Sequence, residues 1–216
     1  MIRVVGIGAG GHAKVVMDIL RFQTGCEITA FLDRNPHLWG KEVMGVPVMG
    51  NDDLLSRLYA EGSRHAFVGV GAVSDTRPRR RLYEQASALG FDFVTAIHPR
   101  ATVAATVTIG AGVTIMAGAV VNPDARLGVN VIVNSGAIVE HDCLVGDHAH
   151  IATGAKLAST VAIGEGAHVG IGAAIRQCVR IGRNAVVGAG AVVVHDVDDG
   201  VVVVGVPARV IGRAGR

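Results

Sequence analysis

Aromatic residues make up only 4% of this 216-residue sequence, with a single tryptophan, although half of the chain is hydrophobic. Its core must therefore come from stacked aliphatic side chains rather than large rings. The three cysteines, Cys26, Cys143 and Cys178, show no paired spacing, which argues against a disulfide framework and for a reduced, cytoplasmic protein. Charge of one sign is also lacking. Twenty Lys and Arg against 18 Asp and Glu leave +2, evenly spread, too little to argue for nucleic acid. Long apolar runs are missing as well. The opening Met1-Ile2-Arg3-Val4-Val5-Gly6-Ile7-Gly8 is soon broken by glycines, His12, Lys14 and Asp18, which excludes a signal peptide or a membrane span there. Small molecules remain as the expected partners.

What is present is a period of six. Every sixth residue from Ile97 to Val193 is Ile, Val or Leu, and the residue four places after each is Ala, Val or Cys. Six matches neither a helix nor simple strand alternation, but it fits a three-sided prism whose sides are each one hexapeptide. Eighteen residues close a coil. Each branched residue then stacks on the one eighteen positions later, and each coil covers the apolar face of its neighbour. Cys143 occupies one of the small inward places, which makes it filler rather than a nucleophile. Glycine is frequent at the second and fourth places of the hexad, as in Val187-Gly188-Ala189-Gly190, where unusual backbone angles are expected. No long loop interrupts the repeat.

The region 1–95 has a different grammar. Arg3 to Ile7 reads as a buried strand, Gly8-Ala9-Gly10-Gly11-His12 as a tight turn, Ala13 to Phe22 as a helix and Glu27 to Leu32 as a second strand. Gly6, Gly8 and Gly11 have G-x-G-x-x-G spacing, which lets backbone N–H groups approach a phosphate. Asp33 ends the next strand, where a ribose or base could bind. The motif alone is also compatible with a packing turn that binds nothing. About 95 residues give room for roughly half of a doubly wound dinucleotide fold, so a mononucleotide group fits better. Further on, Asp33-Arg34-Asn35-Pro36 reads as a turn, Asp52 to Tyr59 as a helix, Ala66 to Val70 as a strand and Arg77 to Leu89 as a helix. Arg77, Arg79, Arg80 and Arg81 oppose the dipole of that last helix and invite an anionic neighbour, although a solvated helix face is the simpler reading. No Ser- or Gly-rich linker separates this domain from the coil region, 96–216, so their relative position is expected to be fixed.

Among nine histidines, His141 precedes Asp142, so a carboxylate can hold one ring nitrogen while the other acts as a base. His150 and His168 are eighteen apart and should stack on successive coils. Together, Gly8-Ala9-Gly10-Gly11-His12-Ala13-Lys14-Val15-Val16, Asn134-Ser135-Gly136-Ala137-Ile138-Val139-Glu140-His141-Asp142-Cys143 and Gly205-Val206-Pro207-Ala208-Arg209 resemble the bacterial nucleotide-sugar acetyltransferases of the hexapeptide-repeat family. These include PglD-like and NeuD-like enzymes, and the sequence is most similar to the branch that acts on GDP-perosamine.

The resemblance implies an α/β nucleotide-binding domain before a left-handed parallel β-helix, and a homotrimer with active sites between subunits. It implies acetyl transfer from acetyl-CoA, without a metal, to an amino sugar of lipopolysaccharide O-antigen biosynthesis. It places the catalytic base at His141 and its carboxylate partner at Asp142. Contact with the thioester falls on His150, and the backbone donor facing the thioester oxygen falls on Ser159, where a relative has Gly. Further CoA-lining positions fall on Ile171 and Ala189, the latter again in place of Gly. Acceptor binding falls on Gly8, Ala9, Gly10, Gly11, His12, Asp33, Arg34 and Asn134. A UDP-4-amino sugar or a sialic acid hydroxyl are alternative acceptors. Outside this class stand a β-helical metalloenzyme using stacked histidines and a non-catalytic nucleotide-sugar sensor.

Overall fold

The structure, a computed structural model, describes residues 1–23 and 25–215. Its first part is a six-stranded sheet in the order β3-β4-β2-β1-β5-β6, from β1 (Ile2–Ile7), β2 (Cys26–Leu32), β3 (Glu42–Val43), β4 (Val46–Gly50), β5 (His65–Val68) and β6 (Asp92–Phe93). All neighbouring pairs are parallel except the hairpin β3–β4. That hairpin was not anticipated. Its turn places Met44 and Gly45 at φ 52° and 83°, a left-handed pair that fits the twist of two-residue hairpins. Helix α1 (Gly11–Arg21) buries Ala13, Val16, Met17, Ile19 and Leu20 on one side of the sheet. Helices α2 (Leu55–Ala60) and α3 (Arg77–Ala88) cover the other side, which contributes Val5, Ile7, Leu32 and Val68.

From Ala96 onward the chain winds as a left-handed parallel β-helix with three faces. Two-residue strands recur every six residues, and each pairs in register with the strand eighteen residues on, as Ile132–Val133 does with His150–Ile151. The first face holds Ala96–Ile97, Thr114–Ile115 and their successors. The second begins at Thr102–Val103 and the third at Thr108–Ile109. The core is the expected column of branched residues with the small residues between them, Cys143 included at 0% exposure. The antiparallel pair Val201–Val204 and Arg209–Arg213 extends the last coil on the first face. No described helix is long and apolar enough to cross a membrane.

The two glycine places of the hexad serve different purposes, which corrects the expectation of unusual angles at both. The fourth place has positive φ in every hexad from Gly112 to Gly190, whether or not glycine occupies it. Asp124, Asn130, Asp142, His148, Thr160, Cys178 and Asn184 all sit at φ 51–61° there. Where glycine holds the second place φ is not positive, but there is no room for a side chain. A Cβ on Gly146 would stand 2.7 Å from the Glu165 backbone nitrogen, and one on Gly164 would stand 2.6 Å from that of Arg183. Corner geometry demands the first kind, and close approach of successive coils demands the second.

The sheet docks on the first face and its border with the third. Ala96, Met116 and Ile132 of the coil share one apolar cluster with Ala13, Val16 and Met17 of α1. Helix α3 runs beside the corner between third and first faces. Thr76 Oγ1 donates to Gly166 O at 2.7 Å, Tyr83 meets the His148 ring edge-on at 5.4 Å, and Arg80 pairs with Glu165.

Candidate active site

The glycine turn follows from crowding on one side and openness on the other. Gly8 has φ +98°, and a Cβ there would meet Val70 Cγ2 at 2.5 Å, so neither a side chain nor another residue's backbone preference is accommodated. Gly10 and Gly11, by contrast, have nothing within 4 Å of a built Cβ. The start of α1 is therefore bare, and its first turn has no acidic residue. Beside it a cavity of 210 Å³ is lined by Gly8, Asp33, Arg34, Asp52, Val70 and Leu82, among others.

Asp33 is more committed than its position at a strand end suggested. Its Oδ2 accepts from Ala9 N–H at 2.7 Å and its Oδ1 from Asn35 N–H at 2.8 Å, so the carboxylate braces the turn as well as bordering the cavity. Arg34 is mostly exposed and lies 3.6 Å from Asp52. In the arginine run, Arg77 pairs with Asp75, Arg80 with Glu84 and Glu165, and Arg81 lies 3.9 Å from Asp52. Arg79 turns inward and is 1% exposed.

A second, wider cavity of 520 Å³ lies where the sheet meets the coil. Gly11, His12 and Val15 of α1, Gly71–Val73 after β5, and Met116, Asn134, Ser135 and His150 of the coil line it. Here His150 is fixed from both sides. A carbonyl can only accept, so its Nδ1–H donates to Ala72 O at 2.8 Å, and its Nε2 accepts from Asn134 Nδ2 at 3.2 Å. Asn134 Oδ1 in turn accepts from Ser135 N–H at 2.7 Å. Burial, with His168 adding to it, pushes the His150 pKa down to about 3, so this imidazole is neutral. His12 is likewise held well below its ordinary value, first by burial and then by Arg79 and His150. Neither ring is suited to take up a proton at neutral pH.

His141 is in a different setting. It occupies the corner between second and third faces, where its Nδ1 lies 2.7 Å from Asp142 Oδ2 and both side chains are 55% exposed. The carboxylate fixes Nδ1 as the protonated nitrogen and leaves Nε2 open to solvent. Asp142 adopts φ 60° at its corner, a conformation that Asp tolerates better than most residues. Ser159 lies one coil further along the same corner, beside Thr160, whose N–H donates to His141 O at 3.0 Å. Ile171 and Ala189 lie instead on the corner between first and second faces, eighteen residues apart in one row, and Ile171 is 62% exposed. Cys143 faces inward with its Sγ on Ala158 O at 3.1 Å, and burial raises its thiol pKa.

The anticipated residues thus fall into three groups. Gly11, His12, Asn134 and His150 meet at the wide cavity, with Gly8, Asp33 and Arg34 at the adjoining one. Ile171 and Ala189 form a row along the first corner. His141, Asp142 and Ser159 form a second row, a whole face away. His150 and His168 do sit one above the other on successive coils, their rings edge to face with centroids 5.0 Å apart, but both His150 nitrogens are already engaged, and no group of three potential metal ligands occurs among the described residues. Sequence reasoning missed Ala72, Val73 and Met116, which carry no motif. It also missed the inward turn of Arg79, for which a signal existed: Arg79 shares one helical face with Leu82 and Ala86.

A small α/β sheet with a bare helix start, set on a hexapeptide-repeat β-helix, is the architecture of the hexapeptide acetyltransferases. Residues 3–86 match the family model of the PglD N-terminal domain. The chain is 43% identical to a mutant of perosamine N-acetyltransferase from Caulobacter crescentus, solved in complex with CoA and GDP-perosamine. The superposition covers 97% of this chain and 96% of that one, with a TM-score of 0.90. The acetyltransferase domain of PglB from Neisseria gonorrhoeae is 40% identical, with 98% and 100% covered and a TM-score of 0.90. UDP-N-acetylbacillosamine N-acetyltransferase of Bacillus subtilis is 36% identical over 113 residues, 51% of this chain; that match spans half the length of the curated relative. The chain belongs to the PglD-like nucleotide-sugar acetyltransferases of the hexapeptide-repeat family.

Proposed function

We propose that the protein transfers acetyl from acetyl-CoA to the 4-amino group of a nucleotide-linked amino sugar, GDP-perosamine first among candidates, with residues 1–95 binding the nucleotide and 96–216 performing the transfer. The observation that carries this reading is the cavity running from the bare start of α1 to Asn134 and His150 on the coil. The nucleotide occupies the region of Gly8–His12, Asp33 and Arg34, and the sugar extends toward Asn134. The base stands on another corner, so one chain does not complete the site. Three copies related by a closed rotation, the coil of one facing that of the next, bring the His141 row of one copy to the first-corner row of another.

The chemistry then assigns each part a task. A sugar ammonium has no lone pair, so the nitrogen must lose a proton before or during its attack on the thioester carbon. Nε2 of His141 accepts the proton, and Asp142 stabilises the imidazolium. Charge collecting on the carbonyl oxygen is met by a rigid backbone N–H at Ser159. The C–S bond breaks, CoA leaves as thiolate, and the imidazolium returns the proton to sulfur. The products are the N-acetyl sugar and CoA thiol, and no acetyl-enzyme is needed because both substrates share one cleft. His150 and Asn134, neutral and mutually hydrogen-bonded, shape the acceptor and thioester pockets without exchanging protons. We place this reaction in the cytoplasm.

The test is thiol release from acetyl-CoA with GDP-perosamine, a UDP-4-amino-4,6-dideoxy sugar, and free or CMP-linked sialic acid. Rapid release with GDP-perosamine alone supports the full reading. Release only with the UDP sugar reassigns the nucleotide, release only with sialic acid reassigns the reaction to O-acetylation, and release with none refutes catalysis of this kind.

A further inference from the structure

We propose that Arg79 is a positioning residue for the acceptor half of the site: its buried guanidinium locks the glycine turn to the coil and holds His12 as a neutral Nδ1–H donor at the wide cavity. The inference rests on the acceptor reading above and concerns a residue outside the cavity lining.

Arg79 is among the most deeply buried side chains in the protein, yet all its partners are neutral. Its Nη1 donates to Val68 O at 2.7 Å and to Val70 O at 2.9 Å, at the end of β5. The same nitrogen lies 3.3 Å from His12 Nε2, on the first turn of α1. Its Nε donates to Asn130 O at 3.4 Å, on the coil. One fork therefore touches three elements far apart in the chain: the segment that ends β5, the helix that starts at the glycine turn, and the coil corner. Buried cations are costly unless well hydrogen-bonded, and here no carboxylate among the described residues shares the charge. An apolar residue would fill the space at lower cost, and a lysine, a point charge more strongly hydrated, could not reach several carbonyls at once, so the fork geometry is the part with a use.

That use is legible at His12. The two hydrogens of Nη1 are directed to Val68 O and Val70 O, and an Nε2–H on His12 would face N–H groups with no lone pair to receive it, so the tautomer that fits leaves Nε2 unprotonated. In the neutral ring the proton then sits on Nδ1, and His12 lines the cavity that also holds Asn134 and His150. Arg79 and His150 are the charged or titratable groups facing His12, and both act with burial to keep it neutral. The ring is thereby converted from an acid–base group into a fixed donor for an acceptor oxygen of the sugar or its phosphate. His150, held from the other side by Ala72 O and Asn134, leaves the cavity with two histidines of set tautomer and no mobile proton.

The experiment is long-range proton–nitrogen NMR of protein labelled at histidine ring nitrogens, with His12→Gln used to assign the signal. The wild-type protein is expected to show His12 protonated at Nδ1 and unprotonated at Nε2, unchanged from pH 8 to pH 5.5. Arg79→Met, which keeps the stem and removes the donors, should lose that pattern and raise KM for the nucleotide sugar by about tenfold or more, leaving KM for acetyl-CoA unchanged. Arg79→Lys should restore the sugar KM in part. A wild-type His12 protonated at Nε2 overturns the proposal whether or not either variant folds. So does an Arg79→Met enzyme with wild-type His12 signals and wild-type sugar KM. If no nucleotide sugar is turned over by the wild type, the acceptor reading falls, while the wild-type tautomer still judges the arginine.

Discussion

On the first face of the coil and its border with the third, His148, His150 and His168 lie under the docked sheet, each at most 8% exposed, whereas His141 at the far corner is more than half exposed beside a carboxylate. The covered histidines are held below their ordinary pKa, chiefly by burial, and His148 and His150 are bound to asparagines. The same side chain is thus buried and neutral on one side, and on the other exposed beside a carboxylate, where we propose that it serves as the base. They differ in place, His141 standing third in its hexad, His148 fourth and His150 and His168 sixth, and they differ in cover: Tyr83 of α3 lies against His148 and Ala72 O against His150.

The contrast is broken most directly by removing the exposed member. His141→Ala is expected to lower kcat by about 10²–10⁴-fold, the usual worth of a positioned base, with the melting temperature unchanged. A variant that keeps full thiol release would remove His141 from the mechanism. Asp142→Asn should cost about tenfold in kcat, consistent with an exposed pair worth about 1 kcal/mol, and steady-state kinetics would show it.

The covered side is tested by acid. For His12, His148, His150 and His168 burial holds the folded-state pKa below the ordinary value of 6.5, with His150 at about 3. Above pH 6.5 these rings are neutral folded or unfolded, and their full contribution to stability is present. As pH falls below 6.5, the unfolded chain takes up protons that the folded one refuses, so stability declines. The melting temperature should drop between pH 7 and pH 5, above the range where ordinary carboxylates titrate. A flat profile there would mean that these histidines are not held neutral by folding.

Two substitutions test the coil itself. Gly164→Ala puts a methyl group 2.6 Å from the Arg183 backbone nitrogen and should destabilise the protein by about 1–3 kcal/mol. Cys178→Gly, at an exposed corner with φ 60°, should be neutral or stabilising by up to about 1 kcal/mol, because it relieves a left-handed conformation. Denaturant melts of both variants decide whether the two glycine places differ as described.

The coil was legible because its order is periodic: every sixth residue announces the same environment, and Cys143 could be assigned to the interior from its place alone. The Gly8 turn, α1 and α3 were legible for similar local reasons. The β3–β4 hairpin was not, since Pro47 and Gly45 interrupt any strand pattern in a short segment. Docking was least legible. Thr76 with Gly166 is a contact across 90 residues and Arg79 with Asn130 across 51, and neither leaves a local trace. In the sequence, Arg79 stands in a basic run whose other members do stay outside, so composition masked the helical spacing that marks it as internal.

Because successive coils repeat at the spacing of neighbouring strands, the shaft behaves as a ruler graduated in notches of about 4.8 Å. His141 and Ser159 stand one notch apart, as do Ile171 and Ala189. On the proposed assignment, the reach from the His141 row to the Ile171 row can be altered only by whole notches, through insertion or loss of eighteen residues. Partial insertions would rotate every later side chain onto the wrong face. The aperiodic sheet can change by single residues and small shifts, while distances along the coil change only in steps.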